Sequence, residues 1–200
     1  GFDVIYNQNE GYDEFTFWGF DKPGVFSKLC GVLAGSGINI LGARIITRDD
    51  GRIVDVFYVN RLGKSTSEDN EIWNKVSSNL YGVLKGEMDV EHLVSKRKRQ
   101  KPVYIKPIPQ HPTRIDIDNE SSDTATVIDI YTNDRVGLLY DITKTLTKLG
   151  LSVDYAKIST KVDQVADVFY VREIVGGKVF DEKKLENIKN KLIEAIDIVT

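Results

Sequence analysis

The chain repeats itself, and that repeat limits its fold more than any other feature. Asp21, Gly24, Gly37, Ala43, Ile45 and Thr47 recur as Asp134, Gly137, Gly150, Ala156, Ile158 and Thr160, each pair 113 residues apart. After one deletion in the second copy, the pentapeptide Asp55–Val59 (DVFYV) returns as Asp167–Val171. Five identical residues in register, following a shared glycine spacing, mark a tandem duplication of one supersecondary unit. A chain of 200 residues then divides into two small units rather than one large one.

Periodicity supplies the elements of the unit. Glu14–Phe20 reads as a strand with Phe15 and Phe17 on one face, and Ile128 and Ile130 take those places in the second copy. A helix follows, with Phe26, Leu29 and Leu33 at i, i+3 and i+7, repeated by Leu139, Ile142 and Leu146. Gly35 or Gly37 stops it in the first copy and Gly150 in the second. Ile38–Arg48 and Arg52–Arg61 read as a hairpin turning at Asp49–Arg52, and the second copy turns at Val162–Gln164. Ser65 and Glu68 fit a capping box ahead of a helix that lines up Ile72, Val76, Leu80 and Val83. Asp181 can cap a counterpart carrying Leu185, Ile188, Leu192 and Ile196.

The order β-α-β-β-α, closed by one more strand, is the ferredoxin-like βαββαβ arrangement, an α+β fold. Helices on one face of an antiparallel sheet account for the one-sided strand patterns. The expected domains are residues 12–95 and 119–200. The closing strand of the first is expected at Arg114–Asp118, within 113–118. That of the second is expected in Asp197–Thr200 or beyond. Between the units, residues 96–112 hold four of the five prolines and a basic run, Lys96–Lys101, and read as an extended, solvated connecting arm. Met88–Val94 reads as a short helix before it. The chain opens on Gly1 rather than Met, as expected of a piece of a longer protein.

The turn from first strand to first helix carries the chemistry. Glycine there permits a backbone conformation closed to other residues and lets another group approach closely. The first N–H groups of the helix are free and partly positive, which suits a carboxylate. Asp21 or Asp134 at the strand end can accept from an ammonium group. Together these suit the two ends of a free amino acid. The same residues also read as an ordinary capping acid and a tight-turn glycine, and the sequence leaves both readings open.

Both copies resemble ACT domains, small amino-acid-sensing modules of the ferredoxin-like fold. The resemblance rests on DKPG, GINILGARI and DVFYV in the first copy, and on DRVGLLYDI, GLSVDYAKI and DVFYV in the second. The stretch from Thr113 to Thr160 is also similar to the C-terminal region of the bacterial bifunctional PII uridylyltransferase/uridylyl-removing enzymes. That resemblance implies a non-catalytic, allosteric module that senses L-glutamine and helps control uridylylation of the PII nitrogen-signalling protein in the cytoplasm. In ligand-binding ACT domains an acid or amide, a glycine turn and an Asn opening the second strand act together. The first copy keeps Asp21, Gly24 and Asn39, while the second has Asp134 and Gly137 but Ser152 in the Asn place and Val136 in the proline place. The implied ligand residues are Asp21, Lys22, Pro23, Gly24, Val25, Asn39 and Ile40, and Asp134, Arg135, Val136, Gly137, Leu138, Ser152 and Val153. Which copy binds stays open. In the family, ligands often sit between two units, with the turn from one and the second strand from the other, and a tandem chain could supply both.

The resemblance also implies upstream catalytic domains as partners, with a parent enzyme using Mg2+, and it allows a homodimer through sheet edges. No cofactor is expected in this stretch, which carries no P-loop, no nucleotidyltransferase pattern and no His-Asp metal pair. His92 and His111 lack a Cys/His cluster, so a metal is not expected. Cys30, the only cysteine, falls between Leu29 and Leu33 and reads as a small buried hydrophobe. Net charge is −3, which gives nucleic-acid binding no support, and no apolar run approaches membrane-spanning length. RNA-recognition motifs share the element order, but DVFYV opens on an acid, lacks glycine and puts Phe57 and Tyr58 on opposite faces. A purely structural or protein-interaction module is the alternative to amino-acid sensing.

Overall fold

In a computed structural model of the chain, residues 1–48, 50–61, 65–66, 70–100, 111–161 and 164–197 are described. Expectations on Asp49, Glu68, Val162, Asp163, residues 101–110 and residues 198–200 lie outside the described residues. The elements are β1 Phe2–Asn7, a 3-10 turn Gln8–Glu10, β2 Tyr12–Phe20, α1 Val25–Ser36, β3 Asn39–Thr47, β4 Arg52–Asn60, α2 Asn70–Lys85 and α3 Val90–Lys98. They continue as β5 Arg114–Asp118, β6 Thr126–Asn133, α4 Leu138–Lys148, β7 Leu151–Lys157, β8 Thr160–Lys161, β9 Gln164–Glu173 and α5 Glu182–Asp197.

All strands join one antiparallel sheet in the order β1-β2-β4-β3-β7-β9-β6-β5, with β8 paired to β9. The two units meet at its centre, where Ala43 faces Ala156 and Arg44 faces Tyr155 across β3 and β7. Ala43 and Ala156 are repeat counterparts, so the seam lies on a local two-fold axis. Two methyl-sized side chains at that point let the strands and the helices above them, α1 and α4, pack closely. The expected stripes are the core. Phe15, Phe57, Leu29 and Leu33 are buried in the first unit, and Ile128, Ile130, Ile142, Leu146 and Phe169 in the second. Ile72, Val76, Leu80 and Val83, and Ile188, Leu192 and Ile196, bury the second helix of each unit. Each such side chain contributes roughly 1.5–3 kcal/mol by leaving water.

The edge strands differ from expectation. Arg114–Asp118 does not close the first unit; as β5 it pairs with β6, Ile115 opposite Ile130 and Ile117 opposite Ile128. The first unit is edged instead by β1, which the repeat did not reveal, with Phe2 opposite Phe17 and Val4 opposite Phe15. Each unit is therefore ββαββα, its edge strand arriving first. A neighbouring strand reaches its place through a short connection, whereas a closing strand must cross the whole unit, and short loops cost less entropy to close. The place beside β6 where a last strand of the second unit would pair is taken by β5.

The connecting arm also differs. Asp89 caps α3 by accepting from the Glu91 amide at 2.9 Å. The helix runs past Val94 and takes Lys96, Arg97 and Lys98 into its last turn, where their charge complements the carbonyl end. It packs on α1 because that helix has glycines beneath it: a Cβ on Gly35 would sit 2.9 Å from Leu93. At the start of α2, Ser65 gives its hydroxyl to the buried Asp13 at 2.6 Å. Thr66 donates its hydroxyl to the same carboxylate at 2.7 Å and accepts from the Trp73 indole at 2.7 Å. Asp181 caps α5 as expected, accepting from the Lys183 amide at 2.9 Å.

Candidate functional site

Each unit turns from strand to helix through a left-handed glycine, Gly24 at φ 83° before α1 and Gly137 at φ 77° before α4. These glycines are themselves the N-cap residues, and no side chain caps either helix. Asp21 and Asp134 are thus not capping acids. The Val25 amide closes the first turn on Lys22 O at 3.0 Å, and the Leu138 amide closes the second on Arg135 O at 3.1 Å. Among the described residues no protein acceptor meets the next amides, Phe26 and Ser27 in α1 and Leu139 and Tyr140 in α4. Both helices therefore offer uncompensated donors at their positive ends.

Two clefts lie at these ends, and each combines both units. The larger, about 570 Å³, joins Asp134, Arg135, Val136, Gly137 and Leu138 to Asn39 and Ile40 at the start of β3. The smaller, about 130 Å³, joins Asp21, Lys22, Pro23, Gly24 and Val25 to Ser152 and Val153 at the start of β7. The sequence groups Asp21, Gly24 and Asn39 as one set, but the structure separates them. The antiparallel seam lays the start of each second strand beside the other unit's turn, so Asn39 shares a cleft with the second unit's glycine and Ser152 with the first's.

The turn side chains have different duties. Arg135 donates to Asp141 at 2.5 Å and to the α5 carbonyls of Ala195 and Ile196 at 3.0 and 3.3 Å. It thereby ties the turn to the negative end of α5. Lys22, its counterpart, is exposed. Asp134 keeps solvent contact, yet desolvation at the cleft wall raises its carboxyl above the usual range, opposed by the Arg135 amide and guanidinium. Helix α3 covers the larger cleft. Its Val94 lies where a Cβ on Gly137 would come within 2.6 Å, Lys98 reaches Asp141 at 2.8 Å, and Arg97 lines the cleft. Glu91 pairs with Lys144 and accepts from the Tyr140 hydroxyl at 3.3 Å.

Sequence reasoning missed the acids beneath the turns. Asp55 and Asp167, which open the two DVFYV segments, point into the sheet's helix-covered side and line the smaller and larger cleft. Burial, above all, pushes both carboxyls up to about 7; the turn acids Asp21 and Asp134 add to the rise. Asp167 accepts from the Ser159 amide at 3.1 Å, and Asp55 from the equivalent Ile46 amide in a poorer contact. An acid repeated at an inward strand position was the signal. Asn60, at the end of β4 opposite Asn39, lines the larger cleft with its Oδ1 buried and unpaired, and nothing in the repeat marks it. Arg97 lay within a run read as solvated arm. Cys30 is fully buried as expected, and burial raises its thiol far above the ordinary range. Among the described residues no group of three or more His, Cys, Asp or Glu is placed to hold a metal, and no helix is long and apolar enough to cross a membrane.

Known proteins resemble both halves. The family model described as "ACT domain" matches residues 15–63, and one described as "ACR9-like, ACT-like domain" matches residues 114–198. The bifunctional uridylyltransferase/uridylyl-removing enzyme of Azospirillum brasilense is 40% identical over 184 residues, 92% of this chain and 20% of that protein. Its namesake from Rhodospirillum rubrum is 36% identical over 179 residues, 88% of this chain and 19% of that protein. The chain thus spans about a fifth of the length of the curated relatives it matches. Among solved structures, aspartate kinase from Synechocystis aligns with a TM-score of 0.48 and 16% identity, over 94% of this chain and 27% of that one.

Proposed function

Because the chain carries two ACT-type domains in tandem, we propose that it is the amino-acid-sensing, non-catalytic part of a bifunctional uridylyltransferase/uridylyl-removing enzyme, with glutamine as its effector. The observation that carries this reading is the larger cleft, which sets unpaired helix amides from one unit against polar side chains from the other. The ligand's carboxylate takes the Leu139 and Tyr140 amides. Its ammonium group takes Asp134 and the buried Asp167, and Asn39 adds an amide from across the seam. Three such charge-assisted contacts readily supply the roughly −4 kcal/mol that millimolar sensing needs.

A ligand that touches both units favours one mutual arrangement of them. That preference biases catalytic domains elsewhere in the enzyme, and coupling of about 1–3 kcal/mol gives several-fold control. The relatives' name supports the uridylyltransferase part of this reading; PII as the protein uridylylated, Mg2+ at the catalytic centres and a cytoplasmic setting are proposed with it. Calorimetry of the chain with glutamine, glutamate and glycine tests it. Saturable heat with glutamine, lost in Asp134→Ala, supports the reading. No heat and no thermal shift with any amino acid leaves an interaction scaffold in its place.

A further inference from the structure

The helix-free face of the sheet differs between its two halves. In the first unit Trp18, Val54 and Ile46 stand side by side across β2, β4 and β3, with Phe20 next along β2. They alternate with Phe17, Ile53 and Ile45, which are buried under the helices, so they point the other way. Trp18 is 46%, Phe20 68% and Ile46 44% exposed. The repeat counterparts of Trp18, Phe20, Ile46 and Val54 are Tyr131, Asn133, Ser159 and Ala166, so the fold itself does not call for large apolar residues there. The second half of the face also sets Asp116 directly opposite Asp129, a like-charged pair that suits water better than an apolar partner. A contiguous apolar patch left in water on one half alone, with a polar rim, marks a protein contact. The rim is Arg44 on β3, with Arg48 and Arg52 at the β3–β4 turn flanking Asp50, and Asp3 on the far side.

The start of the chain lies on this patch. Gly1 exchanges both backbone hydrogen bonds with Trp18, at 2.8 and 2.9 Å, and a Cβ on Gly1 would come within 2.7 Å of the indole ring. Any polypeptide joined ahead of Gly1 is therefore delivered beside Trp18. We infer that the patch of Trp18, Phe20, Ile46 and Val54 is where the catalytic part of the same polypeptide docks, through an apolar centre and an acid-bearing rim that meets Arg44, Arg48 and Arg52. This rests on the reading above that catalytic domains precede the chain, which covers only 20% and 19% of its relatives' length. Tethering raises the effective concentration of the two surfaces, so a modest patch suffices, and Trp and Arg are the residues that carry most interface energy. Both clefts are lined by strand residues of the helix-covered side, among them Asp55 and Asp167. A bound amino acid and a docked catalytic part thus occupy opposite faces of one sheet and do not compete.

Hydroxyl-radical footprinting read by mass spectrometry tests the inference, comparing this chain alone with the full-length enzyme. Trp18 and Phe20 are the reporters, and Tyr131, 38% exposed on the other half of the face, is the internal reference. In the full-length enzyme, oxidation of both reporters should fall about tenfold relative to Tyr131, as for aromatic anchors at the dry centre of an interface. Ile46→Ser with Val54→Ala installs the second unit's pattern at two positions and keeps both reporters. In the full-length enzyme that pair should restore Trp18 oxidation to the level of the chain alone, and Arg44→Glu should restore part of it. Equal oxidation of Trp18 in the two proteins overturns the inference, and so does protection that survives all three substitutions. Protection that appears in the chain alone and grows with its concentration makes a second copy the occupant and overturns it too. Glutamine binding without protection sinks the dock and spares the sensing reading, and protection without any amino-acid response does the reverse.

Discussion

The two strand-to-helix turns are near copies in sequence yet sit in different surroundings. The second is roofed by α3, locked to α5 through Arg135 and opens on about 570 Å³. The first has an exposed lysine where that arginine stands, and opens on about 130 Å³. Asp167 beneath one accepts from the Ser159 amide at 3.1 Å, and Asp55 beneath the other has the Ile46 amide in that place, in a poorer contact. A duplicated motif thus conserves backbone geometry, the left-handed glycine and free amides, while neighbours outside the motif decide what each copy can hold.

The largest expected effect that tests this contrast is at the glycines. Both have positive φ, so alanine at either costs about 1–2 kcal/mol in backbone strain. At Gly137 the new Cβ also meets Val94 at 2.6 Å, while at Gly24 it makes ordinary contacts, with Thr147 at 3.5 Å and the Ser27 hydroxyl at 3.7 Å. Urea unfolding should show Gly137→Ala losing about 2–4 kcal/mol and Gly24→Ala about half of that. Equal losses would mean that α3 does not press on the second turn.

The buried acids come next. A carboxyl whose folded pKa is raised stabilises below its unfolded value, and that contribution is lost as pH rises through the folded value, here about 7 for both. Asp55→Asn and Asp167→Asn should therefore raise stability at pH 8 and do much less at pH 5, where the folded protein already holds both protons. Asp55→Asn should gain more, by about 1–2 kcal/mol, because its carboxylate has the poorer amide contact to lose. Thermal melts of the two variants at both pH values check the order. The smallest effect is at the roof. Lys98→Ala should cost under about 1 kcal/mol, since its pair with Asp141 is partly exposed and Arg135 holds the same carboxylate.

Much of the fold was legible because burial leaves a period. The stripes of α1, α2, α4 and α5 and the inward faces of β2, β4, β6 and β9 follow directly from spacing. The edges were not legible in the same way. Alternation in Phe2–Asn7 and Arg114–Asp118 shows which face is apolar but not which neighbour a strand joins, and β1 lies outside the compared repeat. The site was legible residue by residue and illegible as a set. Asn39 and Gly137 are 98 positions apart, and the pairing of β3 with β7 brings them together. Asp55 and Asp167 were visible as a repeat signature, but an acid facing a core gains functional meaning only once the space above it is seen.

The central claim is that a ligand site is assembled from one unit's turn and the other's strand. Glutamine calorimetry on Asn39→Ala, Asp134→Ala and their double variant, with Asp21→Ala beside them, tests it most directly. Asn39→Ala and Asp134→Ala should each weaken binding about tenfold or more, combine non-additively, and contrast with an unaffected Asp21→Ala. If Asn39→Ala instead travels with Asp21→Ala while Asp134→Ala binds normally, the site lies within the first unit and the crossed cleft is wrong.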